Sequence, residues 1–237
     1  GAIASSLSVP SAAIAGLPQK LGVIADRFYA QPSKALHVIG VTGTDGKTSV
    51  THFIAQALSD GERSCGLFGT LGYGVYGGLQ APTHTTPDAL RLQAEFAVLR
   101  DRGVRQVAME VSSHALHQYR TAAVAFDTAV LTHLSRDHLD YHGSIEAYAE
   151  AKRRLFYSPD LACAVLNVGD DFGRQLAAEL QGRLRVIAYQ SQSTGTARKH
   201  AEWIELTDVQ PLDKGIALQL ESSWGAAAFE APLLGVF

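Results

Sequence analysis

Cysteine is scarce in this sequence, and the two that it contains, Cys65 and Cys163, lie far apart in 237 residues. They have no metal-ligand spacing, so the sequence gives no sign of a cysteine metal site. Both lie in apolar surroundings, where an unpaired thiol behaves as a small hydrophobic side chain. This usage is typical of the reducing cytoplasm, where we expect the protein to reside.

Clustered positive charge and long hydrophobic runs are also missing. The 20 Lys and Arg residues are scattered among 23 Asp and Glu residues, which argues against a nucleic-acid partner held through its phosphates. The apolar segment 1–16 has no basic leader and no continuous hydrophobic run, so we expect neither a signal peptide nor a membrane span. With 46% hydrophobic and 18% charged residues, the chain is predicted to be an ordinary globular protein whose partner is a small molecule.

Hydrophobic periodicity predicts strands that alternate with helices along most of the chain. A strand over 36–41 is followed by a glycine-rich turn and a helix over 48–58. The pattern continues with helices over 88–102, 144–156 and 170–180 and strands over 104–111, 124–131, 163–167 and 184–189. Such alternation favours an α/β fold, a mostly parallel sheet with helices on both faces. Alternating stretches over 203–206 and 216–220 predict a small antiparallel sheet toward the C-terminus.

The turn between the first predicted strand and helix, residues 40–48, has the composition of a phosphate-binding loop, although its spacing differs from the common Walker pattern. A strand-to-helix junction favours anions because backbone N–H groups and the positive end of the helix dipole point there. Lys47 can reach the outer phosphates, and the Thr48 hydroxyl can ligate magnesium. The alternative is a turn that only joins strand to helix, and the Gly-Lys-Thr ending argues against it. The loop therefore predicts ATP binding.

Two polar segments follow predicted strands and are expected at the same edge of the sheet. Residues 109–116, MEVSSHAL, contain Glu110, and residues 135–143, SRDHLDYHG, contain His138. Open α/β sheets bind ligands at the carboxyl ends of their strands. A carboxylate from one segment and an imidazole from the other can hold magnesium together with a triphosphate. The alternative for the second segment is a solvated turn with a local cap.

These motifs resemble those of the Mur ligases. The loop GTDGKT, residues 43–48, is similar to that of the Mur ligases and the related folylpolyglutamate synthetases, and the other two strings are similar to motifs of the UDP-MurNAc-tripeptide synthetases. The resemblance runs from about residue 21 to residue 237. It implies a central ATP-binding Mur ligase domain over 34–237, preceded by a remnant of an N-terminal UDP-binding domain and linker over 1–33. The C-terminal amino-acid-binding domain would begin beyond residue 237.

The resemblance also implies the residues of the site. Catalysis and magnesium binding would involve Lys47, Thr48, Glu110, His138 and a carbamylated Lys152. The ATP contacts would be Gly43, Thr44, Asp45, Gly46, Lys47, Thr48, Ser49, His133 and Asn167. The contacts to UDP-MurNAc-dipeptide would be His84, Thr85, Thr86, Ser112, Gln118 and Arg120. Without the resemblance, the alternative predictions are that Lys152 is a lysine on the surface of a helix and that the segment around residue 85 only caps a helix.

The activity implied for the complete enzyme is ATP-dependent addition of a diamino acid to UDP-MurNAc-L-Ala-D-Glu in peptidoglycan synthesis, through an acyl phosphate. Meso-diaminopimelate is the commoner amino acid and L-lysine the second, and no residue of this chain decides between them. A monomer is expected. Three alternatives stay open: another Mur ligase or a folylpolyglutamate synthetase, a P-loop kinase without need of Lys152, and a nucleotide-binding module without catalysis.

Four positions differ from the family's usual residues. Asp45, His84 and His133 stand where asparagine is usual, and Gly169 stands where aspartate is usual. A carboxylate at position 45 is unfavourable beside a triphosphate unless a cation or a proton offsets it. Asp45→Asn is therefore expected to tighten ATP binding, measured by titration calorimetry, and an unchanged affinity would contradict this electrostatic cost.

Overall fold

The computed structural model describes residues 12–82, 84–191 and 194–233. Residues 1–11 of the expected N-terminal remnant and residues 234–237 lie outside the described part. Among the described residues, no helix has the length and apolar character that a membrane crossing requires. Cys65 is buried, Cys163 is half-buried, and both thiols are free, as the sequence predicts.

The described residues form one ten-stranded sheet. Its strands are β1 His37–Thr42, β2 Cys65–Gly69, β3 Gly72–Val75, β4 Gln106–Glu110, β5 Thr128–Leu131, β6 Cys163–Asn167, β7 Arg185–Gln190, β8 Glu202–Leu212, β9 Gly215–Ser222 and β10 Gly225–Ala231. They lie in the order β10-β9-β8-β7-β6-β5-β1-β4-β2-β3. Neighbours from β8 to β2 in this order pair in parallel, whereas β3, β9 and β10 pair antiparallel. The prediction of a mostly parallel sheet with C-terminal antiparallel strands is confirmed.

Helices connect the parallel strands, and polar caps define where several of them begin. The helices are α1 Leu17–Phe28, α2 Lys47–Leu58, α3 Ala89–Asp101, α4 Ser113–His117, α5 Leu139–His142, α6 Ile145–Arg153 and α7 Asp171–Leu180. The side chains of Asp88, Ser144 and Asp170 accept backbone N–H groups at the starts of α3, α6 and α7. Gly103, at φ +80°, follows the end of α3.

Both faces of the sheet are covered, as alternate residues of β4 show. Val107 and Met109 belong to the large core cluster that includes Phe96 of α3. Ala108, between them, points to the opposite face and packs in a smaller cluster with Ala55 of α2. A central parallel strand buried on both faces is apolar throughout rather than alternating in polarity. The sequence VAM at 107–109 has this character.

The periodicity did not predict helices α1, α4 and α5, the hairpin β2–β3 or strand β10. Helix α1 exposes Val23 and Phe28 and buries Gly22, whose missing side chain allows close approach to the carbonyl of Ala122. The hairpin β2–β3 begins with Cys-Gly-Leu-Phe-Gly, which is buried at every position and so has no alternation. The strand expected over 124–131 is shorter and begins at Thr128, and just before its start the side chain of Asp127 accepts the N–H of Val38 at 2.8 Å.

Gly173 tests how closely α7 packs on the sheet. Alanine in a helix is ordinarily more stable than glycine by about 1 kcal/mol. A Cβ at Gly173, however, would lie 1.8 Å from the carbonyl oxygen of Asn167. Gly173→Ala is therefore expected to lower the free energy of unfolding by about 1–3 kcal/mol in urea denaturation. The control is Gly61→Ala, where a Cβ meets nothing within 4 Å, and equal stabilities of the two variants would contradict the close packing.

Candidate active site

The carboxyl ends of β1, β2 and β4 meet the segments after β5 and on α6 around one cleft of about 510 Å³. Most of the residues predicted from the sequence line it: Thr44, Asp45, Gly46, Lys47, Thr48, His84, Thr85, Thr86, Glu110, Ser112, Arg120, His138 and Lys152. Four further residues line it as well: Thr70, Ser113, His114 and Tyr148. The two polar segments therefore converge on the phosphate loop, as expected from strand order.

The other predicted residues lie around the cleft rather than on its wall. Gly43 is a buried residue within the loop, and Ser49 is exposed on α2. Gln118 accepts a hydrogen bond of 2.9 Å from Nε of Arg120, so it contacts the cleft through that residue. Asn167 lines a second cleft, of about 340 Å³, beyond the end of β6. The last of these predicted residues, His133, lies close to the phosphate loop, with its Nε2 3.5 Å from Oδ2 of Asp45.

The phosphate loop crosses closely over the end of β5. Gly43 has φ +149°, and a Cβ there would lie 1.8 Å from Oγ1 of Thr132, so only glycine fits. Two hydrogen bonds hold the crossing: Thr44 N–H donates to the carbonyl of His133 at 2.9 Å, and Oγ1 of Thr132 donates to the carbonyl of Asp45 at 2.7 Å. The loop is thereby fixed before any ligand binds, which reduces the ordering cost of binding.

The side chain of Lys47 folds back onto the phosphate loop. Its Nζ donates to the carbonyls of Gly43 at 3.0 Å and Thr44 at 2.7 Å. Burial lowers the pKa of Lys47 from its ordinary value, while the charge of Glu110 acts in the opposite direction. This ammonium group is one of two that converge on the carbonyl oxygen of Gly43.

Glu110 is a buried carboxylate, 1% exposed, at the end of β4. It accepts hydrogen bonds from Oγ1 of Thr48 at 3.0 Å and from N and Oγ1 of Thr70 at 2.8 Å and 3.2 Å. Gly69 leaves the necessary room, because a Cβ there would lie 2.3 Å from Oε1 of Glu110. A buried carboxylate fixed by hydroxyl and amide donors is oriented for a hard cation. Thr70 was missed in the sequence because β2 has no readable alternation.

Lys152 is the second ammonium group at the loop and is also 1% exposed. Its Nζ donates to the carbonyl of Gly43 at 2.6 Å and lies 4.3 Å from the ring centroid of Tyr148. Burial, and then the nearby charge of Lys47, lower the pKa of Lys152 to about 7. A surface helix lysine would have neither this burial nor this pKa. Tyr148 precedes Lys152 by four residues on α6, a helical spacing from which it could have been predicted.

A magnesium ion would need ligands beyond the unmodified side chains. Within the described ranges, no group of three or more His, Cys, Asp and Glu residues is close enough to hold a metal. His138 is about half exposed, and its Nε2 lies 3.4 Å from Oδ2 of Asp137. The donors that fit are the Glu110 carboxylate and the Thr48 hydroxyl, and magnesium in proteins ordinarily combines one or two carboxylates with substrate phosphates and water.

Aromatic and imidazole rings from three helices form the far wall of the cleft. The ring of His114 lies 4.8 Å from that of His138 and 5.5 Å from that of His142. Burial, followed by neighbouring cationic groups, lowers the pKa of both His114 and His142, which favours neutral rings. Ser113 lies 3.0 Å from Nε2 of His142. Ser112 instead caps α4, by accepting the N–H of Ala115 at 3.2 Å, a role that requires no nucleophilic serine.

The fold and the cleft define a class: α/β domains with a phosphate-binding loop and a buried carboxylate at the carboxyl edge of a parallel sheet. Residues 41–237 match the family model described as the Mur ligase middle domain. The chain belongs to the Mur ligase family.

Relatives at moderate identity carry one enzyme name. UDP-N-acetylmuramoyl-L-alanyl-D-glutamate–2,6-diaminopimelate ligase of Alkalilimnicola ehrlichii is 51% identical over 234 residues, which are 99% of this chain and 46% of the ligase. The enzyme of the same name from Pseudomonas aeruginosa is 49% identical over 228 residues, with 96% and 45% covered. The chain thus spans about half the length of the curated relatives that it matches.

Solved structures extend the comparison to the fold. A structure of a ligase with that same name is 35% identical and superposes with a TM-score of 0.84 over 97% of this chain and 47% of that chain. Folylpolyglutamate synthase of Mycobacterium tuberculosis, 20% identical, has a TM-score of 0.70 over 91% of this chain and 55% of that chain. The second similarity shows the fold alone.

The pKa of Lys152 predicts how stability depends on pH. Between about pH 7, its value in the folded protein, and its ordinary value of about 10.4, the unfolded chain binds a proton that the folded protein does not. The free energy of unfolding should therefore rise with pH in this window, by up to about 1.4 kcal/mol per pH unit, and this contribution should level off below pH 7. Urea denaturation in carbon-dioxide-free buffer should show the slope reduced in Lys152→Met. The same slope in both proteins would contradict the assignment.

Proposed function

We propose that this chain is the ATP-binding part of a ligase that adds a diamino acid to UDP-MurNAc-L-Ala-D-Glu during peptidoglycan synthesis in the cytoplasm. The observation that carries the proposal is the convergence of the phosphate loop, Glu110 and Lys152 on one cleft. The names of its relatives support the substrates, with 2,6-diaminopimelate as the amino acid. Residues 34–237 would be the central domain, and domains on either side would hold the uridine and the incoming amino acid.

ATP would lie with its phosphates over the loop. The N–H groups of residues 45–48 and the positive end of α2 favour this anion. Lys47 would leave the carbonyls of Gly43 and Thr44 to neutralise the outer phosphates. The nucleoside would extend past His133 toward the second cleft, where Asn167 is fixed by the hydrogen bond from its Nδ2 to the carbonyl of Thr132 at 2.7 Å.

Magnesium would bind among Glu110, Thr48, His138 and the phosphates, and would stabilise the charge that develops on the oxygens during phosphoryl transfer. Lys152 would complete this set as a carbamate. At its depressed pKa the amine is substantially neutral near pH 7, and a neutral amine attacks carbon dioxide, forming an N–C bond and releasing a proton. The product is an anionic oxygen ligand, which suits a hard cation in place of a repelling ammonium.

The acceptor substrate would occupy the other end of the cleft. Arg120 is held there by Gln118 and donates to the carbonyl of Thr86 at 3.1 Å, while His84 and Thr85 line the opening. The terminal D-glutamyl carboxylate would attack the γ-phosphorus of ATP, giving an acyl phosphate and ADP. The amine of the diamino acid would then displace phosphate and form the amide. Neither step requires a covalent enzyme intermediate, in keeping with the capping role of Ser112.

Phosphate release from ATP tests the proposal in the complete protein that carries this domain. Release should depend on both UDP-MurNAc-L-Ala-D-Glu and meso-diaminopimelate. Lys152→Ala should lower kcat by at least about 100-fold, because a ligand of the transferring phosphate's cation is lost, and a short carboxylic acid should partly restore it. The matched control is Lys20→Ala, which removes an exposed helix lysine of α1. Full turnover by Lys152→Ala, or phosphate release without the dipeptide substrate, would refute the assignment.

A further inference from the structure

Asp45 is an unusual residue for the mouth of a phosphate loop. Its carboxylate is 80% exposed and directly precedes Gly46 and Lys47, the residues that would meet the phosphates. Its charge raises the pKa of both Lys47 and Lys152, opposing the larger effect of their burial, so its field reaches across the site. Coulomb repulsion between this carboxylate and a bound polyphosphate would weaken nucleotide binding unless a neighbouring group offsets it.

His133 is the group placed to do so. Its Nε2 lies 3.5 Å from Oδ2 of Asp45, and its side chain is 38% exposed. The two residues are 88 positions apart in sequence and come from different strand ends, so the proximity is produced by the tertiary fold. Neither side chain lines the sheet core, and an exposed pair of this kind adds little to folding stability.

Hydrogen bonds to the backbone of both segments fix this proximity independently of the Asp45 and His133 side chains. The N–H of Thr44 donates to the carbonyl of His133 at 2.9 Å, and Oγ1 of Thr132 donates to the carbonyl of Asp45 at 2.7 Å. From the other side, Asn167 holds the carbonyl of Thr132 through its Nδ2 at 2.7 Å. Residues 44 and 45 are thus held against residues 132 and 133, and the carboxylate of Asp45 and the imidazole of His133 face each other as a consequence.

We propose that Asp45 and His133 act as a coupled pair that sets the affinity of the loop for nucleotide, His133 offsetting the Asp45 carboxylate when a polyphosphate is bound. This inference rests on the proposed nucleotide binding. With Nε2 3.5 Å from Oδ2 of Asp45, the imidazole is close enough to offset the charge of the carboxylate beside the phosphates. Removing His133 alone leaves an uncompensated negative charge beside the ligand, whereas removing both groups leaves none. The two residues should therefore behave non-additively.

A double-mutant cycle tests the coupling, with ATP and magnesium titrated calorimetrically into wild type, Asp45→Asn, His133→Asn and the double variant. His133→Asn should weaken binding about fivefold to tenfold, whereas Asp45→Asn alone should tighten it by less than about twofold. The double variant should lie within about twofold of wild type. The loss in His133→Asn should shrink as salt is raised from 0.05 to about 0.5 M, because screening weakens a repulsion between charges and leaves a packing defect unchanged.

The matched control is His37→Asn. His37 is a half-exposed histidine whose Nδ1 lies 3.6 Å from a carboxylate oxygen of Asp127, at the opposite end of β1. Its replacement should leave nucleotide affinity unchanged. Circular dichroism melts confirm that each variant folds, and His133→Gln replaces His133→Asn if that variant does not.

Two outcomes would refute the proposed coupling of Asp45 and His133, and both can be distinguished from failure of the proposed function. Equal fold-changes for Asp45→Asn with and without His133 would show that the residues act independently. A loss in His133→Asn that is insensitive to salt would assign His133 a packing role only. Absence of ATP binding by the wild-type protein would instead refute the proposed function, and the pair with it.

Discussion

The peptide of Gly43 is the point on which the rest of the site depends. Its carbonyl oxygen accepts hydrogen bonds from the ammonium groups of Lys47 and Lys152, and its Cα passes so close to Thr132 that no side chain fits. Two lysine amines are thereby gathered around one carbonyl oxygen in a buried place, and their burial lowers the pKa of each. Their ammonium forms are unfavourable in this place until an anion binds beside them.

Glu110 and Lys152 are both buried beside this loop, but the groups that surround each side chain differ. The side chain of Glu110 is buried and accepts hydrogen bonds from Thr48 and Thr70. Burial, followed by the nearby charge of Lys47, lowers the pKa of Lys152 to about 7, although its carbonyl acceptor and the aromatic face of Tyr148 favour the ammonium form. A buried lysine with a lowered pKa beside a buried, hydrogen-bonded carboxyl group is the kind of arrangement that is concentrated at functional sites.

The sequence predicted the loop, the two polar segments and the sheet class because each has a local signature: glycines before Gly46-Lys47-Thr48, and polar residues directly after apolar strands. It did not predict Thr70 or the helix α1, for a physical reason that they share. In both segments the apolar pattern does not identify the buried face, since β2 is buried at every position and α1 packs through Gly22 while it exposes Phe28. The facing of Asp45 and His133 also has no local signature, because only the backbone register of distant segments produces it.

The hydrogen bonds that build the cleft connect residues far apart along the chain, 62 positions for Thr48 and Glu110 and 109 for Gly43 and Lys152. Contacts of such long sequence separation form only when loop-closure entropy has been overcome, late in the assembly of a parallel sheet. The order of events is then imposed by topology: the core strands must pair before the site exists. A nucleotide that binds this cleft can recognise only the completed sheet, so it stabilises the folded domain by an amount that grows with its free concentration relative to its dissociation constant.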